Sequence, residues 1–286
     1  MRVFTVRNLK IFFRDRSAIF FSLLAVFIII GMYALFLGDV WTQSLADSGL
    51  QATRQLMDSW IMAGLLSVTS VTTTMGAFGI MIEDRTKKIT RDFTASPLKS
   101  QTIFSGYISS AIVIGLIMSI VTLILVEVYL VVNGGEFMTF WTLLKVLGLI
   151  ILTTITNAAM VLFFVSFFQS NNAFSTASTI VGTIIGFLAG IYLPIGNLPE
   201  AVQFVVKLFP VSHAAALFRQ VIMEKPIAIS FADAPLSAVT EFKTFMGVEL
   251  FFNDTMVTPW VSISVLIGSG CLFAVLAIWN ISRKRK

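Results

Sequence analysis

The sequence predicts an all-α integral membrane protein of about six transmembrane helices, and three observations carry that prediction. From Val146 to Pro199 the chain runs for 54 residues without an Asp, Glu, Lys or Arg. As one helix this run would be about 81 Å long, more than twice the roughly 30 Å hydrocarbon core of a bilayer, so it has to fold back on itself. The polar cluster Gln169-Ser170-Asn171-Asn172 marks the turn. Second, hydrophobic residues make up 57% of the chain and charged ones only 12%, a composition that a soluble core does not need. Third, charge-poor runs recur at 18–37, 59–82, 104–126, 146–168, 173–195 and 258–281, each long enough to span. The longest stretch left between them is 196–257, so residues 1–286 read as one membrane domain.

In chain order, residues 1–17 come first. Arg7, Lys10 and Arg14 recur at i, i+3 and i+7, with Val6, Leu9 and Phe13 on an adjoining face. That pattern predicts a helix lying on the membrane surface, either as an orientation anchor or as a lever that touches a cytoplasmic partner. The run 18–37 follows a basic segment as a signal peptide would, yet it is long and lacks a small-residue cleavage pattern, so it is read as a retained first span.

The second span lies between Asp58 and Glu83 and is rich in hydroxyls. Ser67, Ser70 and Thr74 share one face with Ala63 and Ala77, while Thr69, Thr72, Thr73 and Gly76 crowd the other; these hydroxyls can either support helix packing by bonding to their own backbone or line a path. The third ends at Glu127, which lies about 35 Å along the helix from Phe104 and is expected to be a solvated helix end near the interface. Asn157 sits mid-way in the fourth span and is expected to bond either a neighbouring helix or a substrate. In the fifth, Gly182, Gly186 and Gly190 repeat every fourth residue and predict close approach of another helix, in this chain or a second copy, with a substrate groove as the other reading. Pro194, Pro199 and Pro210 punctuate two short apolar stretches, 201–209 and 213–223, neither long enough to cross. Pro259 and Trp260 open the sixth span, and Trp60, Trp141, Trp260 and Trp279 fall near predicted ends, where interfacial aromatics collect.

Lys and Arg are distributed unevenly between the two sides. The N-terminal segment, the loop 83–103 and the C-terminal tail together hold fourteen of the 20, leaving six for the other side. Both termini and the 83–103 loop are therefore predicted to be cytoplasmic, which an even number of spans permits. The net charge of +5 then reads as a topology signal and not as a nucleic-acid footprint, with the basic termini able to touch anionic lipid as well.

The loop from Glu83 to Leu98 is the most informative local sequence. Ile89 and Phe93 are four apart on one helical face, and Ser96-Pro97 stops the helix. A short charged helix with a small apolar face suits docking into a protein groove; an ordinary solvated loop is the other reading. Glu83-Asp84-Arg85, Ala95-Ser96-Pro97-Leu98 and Ile103-Phe104-Ser105-Gly106-Tyr107 resemble the loop between the second and third spans of ABC-2-type transporter permeases. The stretch from Phe209 to Arg219, with Pro210, Ala214 and Arg219, is similar to the Pro-x-x-x-Ala…Arg segment that the same family carries after its fifth span. The N-terminal surface helix and the six spans match too, so the resemblance covers nearly the whole chain.

The resemblance implies a membrane subunit of an ABC exporter in the plasma membrane, of a kind that suits bacteria, working as a pair, homodimeric or heterodimeric, with a separate ATPase. Its 83–103 loop would be the coupling helix, with Glu83, Asp84, Arg85, Ile89, Asp92, Phe93 and Pro97 as the ATPase-contacting residues. Short extracellular helices between the fifth and sixth spans are implied as well. An amphiphilic drug or antimicrobial peptide best suits an apolar, hydroxyl-lined interior, while related permeases handle polysaccharides, lipids and ions. Ser67, Ser70, Thr74 and Asn157 are the candidates for pathway lining. No G-x-x-x-x-G-K-[ST] loop is present, so no cofactor is expected on this chain, and ATP with Mg is expected on the partner. A stand-alone channel or secondary transporter would be expected to show paired mid-membrane charges or an internal repeat, which the sequence lacks. With one histidine, His213, one cysteine, Cys271, and no H-E-x-x-H, neither a catalytic set nor a metal site is expected.

Overall fold

The computed structural model describes residues 2–33, 35, 52–95, 100–252 and 255–283. Its helices are α1 (Arg2–Arg14), α2 (Arg16–Met32), α3 (Thr53–Thr86), α4 (Ile89–Ala95), α5 (Ser100–Val132), α6 (Phe140–Val165), α7 (Asn171–Leu188), α8 (Glu200–Leu208), α9 (Pro210–Ile222), α10 (Glu224–Ser230), α11 (Leu236–Phe245) and α12 (Pro259–Arg283). Two short strands, β1 (Phe251–Phe252) and β2 (Thr255–Met256), pair antiparallel. The protein is an all-α membrane fold: among the described residues α3, α5, α6 and α12 are each long and apolar enough to cross, and the bent pairs α1–α2 and α8–α9 would raise four candidates to six, a set that does not include α7, the predicted fifth span.

The spine is α3. Of its most apolar window 83% is buried inside the protein, against 17% for α12, which faces outward. Helices α5, α6, α7, α9 and α2 all pack on it. Small and hydroxylated side chains make this possible, because apolar side chains gain little by leaving lipid for a protein core and association depends on close packing. The hydroxyls of Ser67, Thr69, Ser70, Thr73 and Thr74 donate to carbonyls three or four residues back, so they enter the core without orphaned donors. At Gly115 of α5 an added Cβ would lie 2.8 Å from Thr154 and 2.9 Å from Thr74. Three helices meet there.

Helix bounds depart from the sequence reading where local chemistry overrides hydropathy. Between α1 and α2 the chain bends by 73°, with Asp15 accepting from the amides of Ser17 and Ala18 as the N-cap of α2. The predicted fifth span, 173–195, ends as a helix at Leu188. Gly190 takes φ +63°, and the amides of Gly190 and Ile191 bond to the carbonyls of Phe187 and Gly186 in a Schellman closure. Between α8 and α9 the chain turns by 88° at Phe209, with Pro210 in the first turn of α9 where its missing N–H costs nothing.

The segment 196–257, predicted to lie outside the spans, sends α9 into the bundle against α3, α6 and α12. Every residue from Pro210 to Phe218 is buried. His213, in the same segment, bonds the Lys207 carbonyl through Nε2 at 2.9 Å and Ser262 Oγ through Nδ1 at 3.1 Å, tying α8 and α9 to α12. Glu127 is not a free helix end: α5 continues to Val132, and the carboxylate accepts the Met138 amide at 2.6 Å.

Candidate functional site

One end of the molecule gathers α1, the C-terminus of α3, α4 and the N-terminal half of α5. Asp84, the last buried residue of α3, is at the centre. It accepts a bidentate pair from Arg7 at 2.7 and 2.8 Å and a third bond from Tyr107 Oη at 2.6 Å. The Arg7 guanidinium is held in its charged form more firmly than usual, chiefly by its hydrogen bond to Asp84. It also donates to Asn8 Oδ1 at 3.0 Å, and Asn8 Nδ2 donates to Ser110 Oγ of α5 at 3.1 Å.

Aromatic rings close this network on the side of α4. Arg7 lies 5.0 Å from the Phe93 ring centre and 5.5 Å from that of Phe4, and Phe4 meets Phe93 and Tyr107 edge to face. Gly106 permits the approach, since a Cβ there would come within 2.5 Å of Phe4. Next along the chain, Arg85 donates to the Phe168 carbonyl at 2.7 Å, which joins α3 to the turn between α6 and α7. Asn280 of α12 donates to Ser166 in the same turn, so the N-terminal helix and the end of α12 lie at one end of the protein.

These contacts place the residues predicted to meet an ATPase. Asp84 and Arg85 face inward and bind this chain. The apolar side of α4 that was to enter a partner groove is already partly engaged: Phe93 packs on Phe4 and Arg7, and Ile89 is half-buried. Among the described side chains here, Thr86, Lys87, Lys88 and Asp92 are exposed and Glu83 is about half exposed, with Lys87 paired to Glu83 one helical turn away. Lys88, at φ +61°, turns the chain from α3 into α4. Pro97 lies outside the described residues. On α1, Lys10 and Arg14 are exposed as predicted, whereas Arg7 turns inward. The face buried against the rest of the protein is Phe4, Asn8 and Phe12, while Val6 and Phe13 stay exposed and Leu9 is half-buried. The spacing i, i+4, i+8 carried that signal, but the asparagine in its middle concealed it.

The second feature is an open cavity of about 1210 Å³ bounded by α2, α3 and α7. Among the described residues, no Asp, Glu, Lys or Arg lines it. Its walls are apolar side chains such as Phe21, Ile28 and Met75, interrupted by the hydroxyls of Thr72, Ser178, Thr179 and Thr183. Thr179 and Thr183 donate to their own helix, and Ser178 Oγ is buried without a partner.

The residues predicted to line a path lie elsewhere. Ser67, Ser70, Thr74 and Asn157 are fully buried, and Asn157 Nδ2 donates to Ser70 Oγ at 2.6 Å across the α3–α6 contact. They hold helices together. Thr72, two residues from both Ser70 and Thr74, takes the groove-facing position, about 200° around the helix from each of them.

The glycine repeat of α7 separates into three roles. Gly182 faces the groove with nothing within 4 Å of an added Cβ. Gly186 lies under the Tyr192 ring, where a Cβ would come within 2.3 Å. Gly190 has left the helix, so it does not belong to a packing stripe. Its carbonyl and that of Ala189 accept Arg219 Nη2 at 3.0 and 2.9 Å. Arg219, buried in α9, also stacks on Trp60 at 4.7 Å.

Comparison with curated proteins finds no match. The family model described as ABC-2 type transporter matches residues 1–223, a span that takes in the Asp84 network, the groove and the buried helix that carries Arg219. With well over half of the chain matched and an all-helical, multi-pass architecture, the chain belongs to the ABC-2 type transporter family as a membrane permease subunit.

Proposed function

We propose that this subunit works in an ATP-driven exporter, as one of a pair of permease chains served by a separate ATPase, and that it moves an amphiphilic molecule such as a drug or antimicrobial peptide outward. The observation that carries the reading is the groove between α2, α3 and α7, which no charged side chain lines among the described residues; its apolar walls suit a hydrocarbon or aromatic surface while its scattered hydroxyls offer hydrogen bonds to a polar portion. A groove without charges favours no ion and offers little to a fully polar sugar chain.

In this reading both termini and α4 are cytoplasmic, and the ATPase meets Glu83, Lys87, Lys88 and Asp92. Motion at α4 reaches α1 through Phe93 and Phe4, and reaches α3 through the Arg7–Asp84 pair. Helices α1, α3 and α4 would therefore move together and change the width of the groove that α2 and α3 border. Nucleotide and Mg belong to the partner; this chain contributes a docking surface, a rigid transmission and the lining.

The test begins with gentle purification from native membranes and identification of co-purifying subunits. An ATPase is expected with the wild type and is expected to be lost with Asp92→Lys, whose side chain is exposed and makes no described contact that holds the fold. Thr179→Trp, which fills the groove, is expected to keep the ATPase and abolish transport of amphiphiles in cells. Absence of a nucleotide-binding partner under gentle conditions would sink the ATP-driven reading, and unaltered transport by Thr179→Trp would sink the groove assignment.

A further inference from the structure

At the end opposite the Asp84 network lies a separate cavity of about 530 Å³, within the range of about 300–1,000 Å³ usual for small-molecule sites. It is enclosed by the N-terminus of α3, the turn 133–139, the start of α6, and the α9–α10 corner. The turn is a built wall. Gln55 Nε2 donates to the Gly134 carbonyl at 2.7 Å, the Gly135 amide to the Leu130 carbonyl at 2.8 Å, and the Met138 amide to Glu127.

Charges of both signs are set at its mouth. Lys225 of α10 pairs with Glu136 of the turn, and Lys145 of α6 lies 3.7 Å from Glu224 of α10. Their hydrogen bond holds the Glu136 carboxyl below the usual carboxylate range. On the floor, Asp58 is ion-paired to Arg54 at 3.6 Å, so the site as a whole is close to neutral. A net anion or cation would leave two like charges at the mouth unanswered, whereas a zwitterion answers both. The four mouth side chains are more than half exposed, where such pairs are weak and exchange partners readily.

The surroundings point to an amphiphile and not to a soluble solute. Phe137, Phe140 and Trp141 beside the cavity are about 70% exposed, at a helix start where aromatic residues mark the membrane interface. Apolar walls from Leu130, Val221 and Ile229 continue from the mouth inward.

We propose that this cavity holds the headgroup of a zwitterionic phospholipid from the adjoining leaflet, with its ammonium between the Glu136 and Glu224 carboxylates and its phosphate against Lys145 and Lys225. The acyl chains run along Phe137 and Trp141. Such a lipid clamps α10 to the α5–α6 turn and stands apart from the substrate groove, so the assignment holds whatever the exporter carries.

The test uses the full-length chain, with any subunits that co-purify, in native mass spectrometry at defined ratios of phosphatidylethanolamine or phosphatidylglycerol. One phosphatidylethanolamine is expected to be retained in preference to phosphatidylglycerol. The double variant Lys145→Gln, Lys225→Gln is expected to bind it about tenfold more weakly, the combined weight of two such pairs. Ala228→Trp, which narrows the cavity and keeps every charge, is expected to lose it too, with unaltered size-exclusion behaviour showing that the fold persists. Equal retention of both lipids, or unchanged retention by both variants, would overturn the proposal. Equal protection by soluble glycerophosphoethanolamine would also overturn it, because the occupant would then not be a bilayer lipid.

Discussion

Asp84 and Glu83 are neighbours of the same charge, yet their surroundings give them opposite roles. Glu83 is about half exposed and pairs with Lys87, while Asp84 receives three hydrogen bonds inside the protein. Asp84→Asn keeps the volume but removes the charge that answers Arg7. It is expected to destabilise the protein by about 1.5–3 kcal/mol, the usual loss for hydrogen bonds to a charged group. Glu83→Gln is expected to change the thermal unfolding midpoint in detergent little, and that contrast separates the two residues. Glycines offer a second contrast. Gly115→Ala drives a methyl into Thr154 and Thr74 and is expected to cost about 1–3 kcal/mol by overpacking, whereas Gly182→Ala enters open space and leaves the midpoint unchanged or slightly raised. Equal midpoints for the two variants would contradict the three-helix contact.

At the scale of elements, α7 and α9 depend on one another. Helix α7 stops at Leu188 ahead of a left-handed Gly190, and the carbonyls of Ala189 and Gly190 just beyond its end point toward α9. Arg219 answers two of them at once with Nη2, while Nη1 lies 3.5 Å from the Gly247 carbonyl and the guanidinium plane stacks on Trp60. A planar fork can serve these partners together; a lysine ammonium cannot. Arg219→Lys is therefore expected to lower stability by about 1.5–3 kcal/mol despite the conserved charge. The loss should appear as faster hydrogen exchange at residues 189–193 and 246–248, and exchange confined to distant helices would count against the clamp. The sequence shows the arginine and its segment, but only the folded chain shows that its partners are backbone carbonyls some thirty residues away.

For the whole molecule, the decisive question is which hydroxyl face of α3 meets the groove. Thr72 lines it, and Ser67 is fully buried against neighbouring helices. In a chain whose single cysteine is removed by Cys271→Ala, Thr72→Cys is expected to react with a small water-soluble thiol reagent in membranes. Ser67→Cys is expected to stay unreactive until the protein is unfolded. The opposite order of reactivity would return the path to the Ser67–Ser70–Thr74 face. The same scale explains why α3 is long and enclosed while α12 lies on the outside of the bundle: α3 carries the small and hydroxylated residues that let other backbones approach.

Read alone, the sequence determined the solvent, the helices, the uneven placement of basic residues and the family. These follow from rules local to a segment. In hydrocarbon a backbone must satisfy its own hydrogen bonds, so an apolar run of sufficient length without strand alternation reads as a helix, and Pro210 suits the first turn of one by its own geometry; Gly190, read as part of a helical repeat, ended its helix only in the structure. Only the tertiary structure decided which face of each helix is used. Lipid and protein interior are both apolar, so hydropathy does not distinguish a packed face from a lining one. Ser70 and Thr72 look alike in sequence and point to different surroundings. Likewise nothing in Glu83-Asp84-Arg85 tells which charge turns inward, because that depends on Arg7, Tyr107 and the Phe168 carbonyl, brought together from three separate parts of the chain.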